Sequence, residues 1–285
     1  MSSADFDQSP TTTELSSGGF GGTYLAERLS RLSSARIRES KPRPIWQNAR
    51  VVKLTEETAE TTSIQFEPER PSEFLPGQYY NVRISVPGRP RPIQRAYSIG
   101  SSPFPDASRF EITVREVPGG LVSPRLTRDL RVGDVVEVRG PHGNFTWTEK
   151  DDGPVLLIAA GSGVVPFMSM IRYAAIRELS FPMLLLFSSK TEDLVIYADE
   201  LNSLQREHSW LKVVHTFTRS PGHPGSRYHR RIDAEMVQEC LNELSGNPAK
   251  AIGYVCGSPD LVDMAQATLL AAGLREDRVR VEKYD

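Results

Sequence analysis

The pattern of apolar and polar positions divides the chain into unlike stretches. From Ile45 to about Lys150 apolar residues alternate with polar ones over short spans: Ile64 and Phe66, then Val82, Ile84 and Val86, then Phe110, Ile112 and Val114, then Val136 and Val138. Alternation of this kind predicts half-buried strands. Pro76-Gly77, Pro87-Gly88, Pro103 with Pro105, Pro118-Gly119-Gly120, Gly133-Asp134 and Gly140-Pro141 punctuate them as turns. Many short strands with regular turns predict a closed antiparallel barrel of Greek-key type, and Leu121 to Leu130 is the one helix expected within it.

After Gly153-Pro154 the rhythm changes. A continuous apolar run at Val155–Ala160 and strands expected at Met183–Phe187, Lys212–Phe217, Ala251–Cys256 and Val279–Val281 alternate with helical segments at 165–178, 197–205, 233–244 and 259–272. Strands alternating with helices predict a parallel sheet covered on both faces, whose ligands bind beyond the carboxyl ends of its strands. The expected organisation is therefore a tail over 1–44, a barrel domain over 45–150 and an α/β domain over 151–285. The first 22 residues are rich in Ser, Thr and Gly and read as disordered; Thr23–Glu39 reads as a short helix, and Lys41-Pro42-Arg43-Pro44 as a stiff linker.

Composition narrows the function classes. Lys plus Arg number 34 against 36 Asp plus Glu, a net charge of −2, which lacks the basic surplus of a general nucleic-acid binder. The longest apolar stretch, Val155–Ile171, is broken by Gly161, Gly163 and Pro166 and is too short to span a bilayer. The N-terminus shows no basic start followed by an apolar block, so a cytoplasmic setting is expected. Two cysteines, Cys240 and Cys256, cannot supply a four-cysteine cluster, and His223 and His229 have no carboxylate or thiol in register, so no metal site is expected.

Candidate chemistry sits at the turns. Gly161-Ser162-Gly163 follows the first α/β strand and leads to Pro166, which suits a helix start. Such a turn presents backbone N–H groups to a pyrophosphate; it also reads as an ordinary strand-to-helix turn. Cys256-Gly257-Ser258-Pro259 ends another strand at the same edge, where the thiol can face a ligand ring or simply be a small buried residue. Thr218, Arg219 and Arg227 lie at or after a third strand, and with no acidic residue in Phe187–Lys190 or Thr216–Arg219 they favour NADP over NAD; exposed loop arginines are the competing reading. In the barrel half, Arg95 and Tyr97 lie two apart on a strand with Ser98 next, offering a guanidinium, a flat ring and a hydroxyl. Gly120-Leu121-Val122-Ser123 offers a second phosphate nest, or a plain helix cap.

The order of these pieces is more specific than any one of them. Pro76-Gly77-Gln78, Arg95-x-Tyr97-Ser98, Gly120-x-x-Ser123, Gly140-Pro141-x-Gly143-x-Phe145, Gly161-x-Gly163-x-x-Pro166 and Cys256-Gly257-x-Pro259 follow one another along the chain. This succession, from about Ile45 to Tyr284, resembles the ferredoxin–NADP reductase-like flavoprotein family. The resemblance implies an antiparallel FAD-binding barrel followed by a nicotinamide-binding α/β domain, with NADPH, or NADH, as the reductant. It implies that Arg95 holds the flavin phosphates, Tyr97 stacks on the isoalloxazine beside Ala96, and Ser98 lies near its N5. Gly120, Leu121, Val122 and Ser123 would meet the pyrophosphate, and Gly161, Ser162, Gly163 and Pro166 the nicotinamide dinucleotide. Cys256 would lie near the nicotinamide ring, with Gly257 and Pro259 shaping its turn. Tyr284 is a candidate cover for the flavin and Glu282 a candidate proton relay.

The expected function is hydride transfer from NADPH to FAD, then electron delivery to a separate acceptor: a ferredoxin, an oxygenase component or a small molecule. An arginine-rich loop (Arg83, Arg89, Arg91) is a candidate docking surface for an acidic partner. Two other readings stand beside it: a flavin or ferric reductase, and a noncatalytic binding module on the same scaffold.

Overall fold

In the barrel half, alternation places one face of each strand inside. Strands β1 (Gln47–Thr58), β2 (Thr61–Pro68), β3 (Tyr79–Ile84), β4 (Ile93–Ser98), β5 (Phe110–Arg115) and β6 (Val135–His142) form one antiparallel sheet in the order β4-β3-β6-β1-β2-β5. Its interior holds Ile64, Phe66, Val82, Phe110, Ile112, Val114 and Val138, with the Tyr80 ring stacked on Phe110 at 3.9 Å. β4 and β5 are the two edges, joined by an isolated Ile99–Ile112 bridge. The barrel is thus closed beyond the end of β4 and left as a seam along the rest of that strand. This computed structural model describes residues 44–244 and 247–284, and those from Pro44 onward form one compact unit. The expectations for the tail, Thr23–Glu39 and, apart from Pro44, the linker lie outside the described residues.

One barrel expectation is shortened. Of the helix expected over Leu121–Leu130, Ser123 and Pro124 are helical and Arg125–Asp129 forms a π-helical turn, ended by an extended Leu130. Within that turn only Leu126 is buried, too little apolar face to hold a longer helix against the barrel.

In the second half, β7 (Val155–Ala160), β8 (Met183–Ser189), β9 (Leu211–Phe217), β10 (Ile252–Gly257) and β11 (Val279–Lys283) form a wholly parallel sheet in the order β11-β10-β7-β8-β9. Helices α1 (Val165–Ile176), α2 (Ala198–Glu207), α3 (Ala234–Leu244) and α4 (Pro259–Ala271) cross between them. Every residue of β8 and β10 is buried, because helices pack both faces. Phe167, Met170 and Leu201 fill one side, and Met236, Leu241, Val262 and Leu269 the other. Strand order reverses between β7 and β10, so the ligand crevice of such a sheet is expected at their carboxyl ends.

The segment joining the halves is strapped down. Trp147 is fully buried, and Tyr254 Oη and Arg280 Nη1 both donate to the Thr146 carbonyl, at 2.8 and 2.6 Å. Among the described residues no helix is long and apolar enough to cross a membrane.

Candidate functional site

β4, β10 and β11 end at one place. Parallel register sets Cys256 beside Glu282, and the Tyr284 N–H donates to the Gly257 carbonyl at 2.9 Å. This carries the end of the chain back toward the barrel. There the Ser98 hydroxyl lies 2.5 Å from Tyr284 Oη and 3.4 Å from Glu282 Oε2. The buried Cys256 thiol lies near enough to the same phenol for each to influence the other's protonation. Four of the residues singled out from the sequence, as many as 186 positions apart, therefore converge.

Electrostatically this junction is quiet. Burial pushes the Glu282 carboxyl up to about 7, against a smaller opposing effect of the Ser98 hydrogen bond. Burial also raises the Cys256 thiol and the Tyr284 phenol, with the Glu282 charge adding to both. A thiol held neutral is no thiolate nucleophile. The site suits apolar ring contact and proton holding, not covalent attack.

Along the barrel seam Arg95 and Ala96 are exposed and Tyr97 is half-buried. Alternation puts Arg95 and Tyr97 on one side of β4, and burial pushes the Tyr97 phenol up to about 12 while the Arg95 charge opposes it. Among the described residues Arg95 makes no ion pair, and its side chain donates to the Gln94 carbonyl at 2.8 Å. Such a guanidinium beside an accessible ring, on an unpaired strand edge, fits an aromatic cofactor with phosphates. Nearby, Gly120 N–H donates to the Val117 carbonyl and Val117 N–H to Ser123 Oγ, at 2.8 and 2.9 Å. Ser123 and Val122 are buried while Leu121 is exposed, so the Ser123 oxygen closes the turn and only its proton remains to donate.

At the end of β7, Gly161–Val164 forms one 3-10 turn and Pro166 lies in the first turn of α1. The two glycines serve different ends. Gly161 has φ +54° and open space where a side chain would stand, which leaves a cradle at a helix start for a phosphate. Gly163 is buried, and a Cβ there would stand 2.3 Å from the Cys256 carbonyl oxygen. Its bareness lets β7 and β10 turns pack together beneath that cradle. Gly257 has more room, a Cβ there meeting Leu261 Cδ2 at 3.0 Å, and Pro259 opens α4.

The basic candidates separate. Thr218 and Arg219 N–H groups donate to the Ser189 and Lys190 carbonyls, at 3.0 and 2.8 Å. This keeps both at the carboxyl edge, where the buried Ser189 hydroxyl has no partner. Arg219 is exposed, and among the described residues it has no ion pair. Arg227 instead pairs with Glu243 at 2.7 Å, and Glu243 also holds Lys212 near the start of β9. Arg227 is thereby drawn from the edge where Arg219 stands. The expected Arg83/Arg89/Arg91 loop also needs correction: Arg83 belongs to β3, pairs with Glu137 and stacks on Trp46 at 4.4 Å. Arg89 and Arg91 alone are exposed loop residues of that group.

Sequence reading missed Arg172, Glu111 and Tyr197, which join the halves below the site. The available signal was one arginine within an otherwise apolar helix, VPFMSMIRYAAI.

Known proteins match this arrangement. Residues 48–147 match the oxidoreductase FAD-binding domain family and 157–267 the oxidoreductase NAD-binding domain family. Ferredoxin–NADP reductase B of Sorangium cellulosum is 33% identical over 215 residues, spanning 74% of this chain and 86% of that one. The ferredoxin–NAD(P)+ reductase component of a naphthalene 1,2-dioxygenase system from Pseudomonas putida is 26% identical over 234 residues, spanning 82% and 67%. Among solved structures, the flavohem-like FAD/NAD binding domain of a nitric oxide dioxygenase from Vibrio cholerae shares the fold, with TM-score 0.73 and 24% identity over 84% of this chain and 98% of its own. The chain belongs to the ferredoxin–NADP reductase family and is an NAD(P)H-dependent flavoprotein reductase with FAD- and NAD-binding halves.

Proposed function

We propose that this reductase takes its hydride from NADPH and delivers electrons to a separate protein acceptor, a ferredoxin or an oxygenase component. The observation that carries the reading is the meeting of Ser98 with Glu282, Tyr284 and Cys256 where the barrel seam adjoins the carboxyl ends of β10 and β11. FAD, when bound, supplies the change from hydride acceptance to release of electrons one at a time. The residues supply position. In this reading Arg95 grips phosphate, Tyr97 presents a ring face, and the 120–123 turn offers N–H groups. The Gly161–Ser162 cradle and the start of α1 hold the nicotinamide dinucleotide phosphates. Buried Cys256 and half-buried Tyr284 limit water and charge at the reacting end, and Glu282 holds a proton within reach of Ser98 Oγ.

Arg219 supports NADPH over NADH: it is an exposed fork at the edge where a 2′-phosphate would sit, with no acidic residue among Thr216–Phe217–Thr218. The named roles of the two relatives support a protein acceptor, as do Arg89 and Arg91, exposed and, among the described residues, without ion pairs, which would attract an acidic surface. We place the functional halves at 45–150 and 151–285, in a cytoplasmic setting consistent with two buried free thiols.

The test is direct. Purified protein is loaded with FAD, then titrated without oxygen with NADPH and NADH in parallel, and finally offered ferredoxin, free flavin and ferric chelates. Yellow protein bleached faster by NADPH, and reoxidised faster by ferredoxin than by small acceptors, is expected. Colourless protein that takes up no flavin overturns the reading.

A further inference from the structure

Helix α1 carries a charge that its surroundings make expensive. Residues Val165–Ile171 and Ala174 are buried, and the Arg172 side chain among them is only 17% exposed. Its fork is fully engaged. Nε and Nη2 hold the two oxygens of Glu200 on α2, at 2.7 and 2.6 Å. Nη1 reaches out of the α/β half to Glu111 Oε1 on β5 at 2.7 Å and to the Gly100 carbonyl at 2.8 Å. One turn earlier on the same helix face, Ser169 Oγ donates to the Ser101 carbonyl at 2.6 Å. The helix thus grips consecutive carbonyls just beyond Ser98.

The fit around that grip is close. A Cβ on Gly100 would stand 2.7 Å from Tyr197 Oη and 3.4 Å from both Val165 Cγ1 and Glu111 Oε1. Tyr197 lies under Arg172 at 4.9 Å, in a left-handed conformation, and its hydroxyl bonds Thr113 on β5. Buried ion pairs seldom outdo apolar packing as stabilisers. What a planar, bidentate fork adds is a fixed angle and distance between the elements it joins. Here those elements are the helix that springs from the Gly161–Pro166 turn and the strand end that carries Ser98.

We propose that Arg172 is a positioning residue for hydride transfer, clamping the Ser98 strand end to α1 so that the barrel seam and the glycine turn keep one separation. The proposal rests on the functional reading above. Its signature is a contrast between partners: the bonds to Glu111 and Gly100 cross the halves, whereas the bond to Glu200 stays within one.

The experiment compares Arg172→Gln, Arg172→Lys, Glu111→Gln and Glu200→Gln with wild type. The FAD-loaded proteins are mixed rapidly with NADPH to obtain a limiting reduction rate and an apparent Kd. Hydrogen exchange is measured at the Ile99–Ser101 amides before FAD loading. Arg172→Gln and Glu111→Gln should lower the limiting rate about 10- to 100-fold, since displacement of about 1 Å has that effect, while the apparent Kd stays near wild type. Exchange at Ile99 and Gly100 should rise about tenfold in both. Arg172→Lys should recover part of the rate, and Glu200→Gln should retain it. Equal losses in Glu200→Gln and Arg172→Gln, or no loss in Arg172→Gln, overturn the proposal. If Arg172→Gln does not fold, Glu111→Gln, which removes the charge paired with Arg172 while keeping the side chain's shape, decides the same question. Wild type that takes up FAD and is not reduced by NADPH overturns the functional reading together with the proposal; reduction at equal rates in wild type and Glu111→Gln overturns the proposal alone.

Discussion

Replacing Glu282 with Gln should stabilise the protein in alkaline solution and leave it unchanged in acid. The carboxyl is moved from an ordinary 4.5 to about 7, chiefly by burial. In the unfolded chain it loses its proton near 4.5, whereas in the folded chain it keeps it to about 7. Between those values the folded state binds more protons, so its stability falls as pH rises, and the penalty is complete above pH 7. At about 1.4 kcal/mol per pH unit the full displacement amounts to about 3 kcal/mol. Partial exposure at the junction admits water, which reduces the expected figure to about 1–2 kcal/mol. Ser98, Cys256 and Tyr284 around it are neutral throughout this window, the last two raised by burial, so they contribute no titration of their own. Glutamine keeps the shape and an acceptor for Ser98 while removing the charge. The assay is a set of urea unfolding curves for both proteins at half-unit steps from pH 4.5 to 8.5. The stability difference should be near zero at the acid end, grow through the interval and level off above pH 7 in favour of Glu282→Gln. A flat difference, or one favouring wild type at high pH, refutes the burial argument for this carboxyl.

The other expectations concern single residues around the site. Gly163→Ala must push apart the β7 and β10 turns, because its Cβ would meet the Cys256 carbonyl at 2.3 Å; thermal or urea unfolding should show about 1–3 kcal/mol lost, with nicotinamide reduction impaired. Arg219→Gln should raise KM for NADPH about tenfold through loss of a charge-assisted contact, with KM for NADH unmoved; equal changes for both would remove Arg219 from 2′-phosphate recognition. Arg95→Gln should weaken FAD uptake about tenfold by the same reasoning, read by fluorescence titration, with the unfolding midpoint of the flavin-free protein unchanged because Arg95 makes no ion pair among the described residues.

The α/β half was legible because its signals are local. The apolar run Val155–Ala160 is strand β7, which begins and ends where its run does, and β8 and β10 are likewise dominated by apolar residues. β1 shows why the barrel was harder. Its burial pattern follows no clean alternation, since register shifts between Val51 and Lys53 and between Glu56 and Thr58 turn successive side chains to new faces. Leu121–Leu130 has helical composition, yet a sparse apolar face confines the helix to Ser123–Asp129. At the site, alternation sufficed to pair Arg95 with Tyr97, but nothing local joins Ser98 to Tyr284 or Arg172 to Glu111, 186 and 61 positions apart. The first of these links was reached only through the resemblance of the whole motif order, and the second not at all. Arg227 shows the reverse error of locality: it follows Arg219 closely in sequence, but its carboxylate partner on α3 sets its direction.

Charge is distributed across the site in a way that separates binding from chemistry. Arg95 and Arg219, without ion pairs among the described residues, stand in solvent at the barrel seam and at the end of β9, where water screens them and where the proposed function needs phosphate contacts. Between these positions, the groups that meet at the junction are a hydroxyl, a thiol, a phenol and a carboxyl that burial keeps protonated to about pH 7. A reaction that moves a hydride between stacked rings needs a dry and weakly charged surround more than it needs an acid–base pair. Beside the strand end that carries Ser98, the Arg172 guanidinium is engaged by two carboxylates, Glu111 and Glu200, and by the Gly100 carbonyl. Its field is thereby neutralised locally while its geometry is kept, which is how a guanidinium can hold two halves of a molecule together without imposing a charge on the rings expected between them.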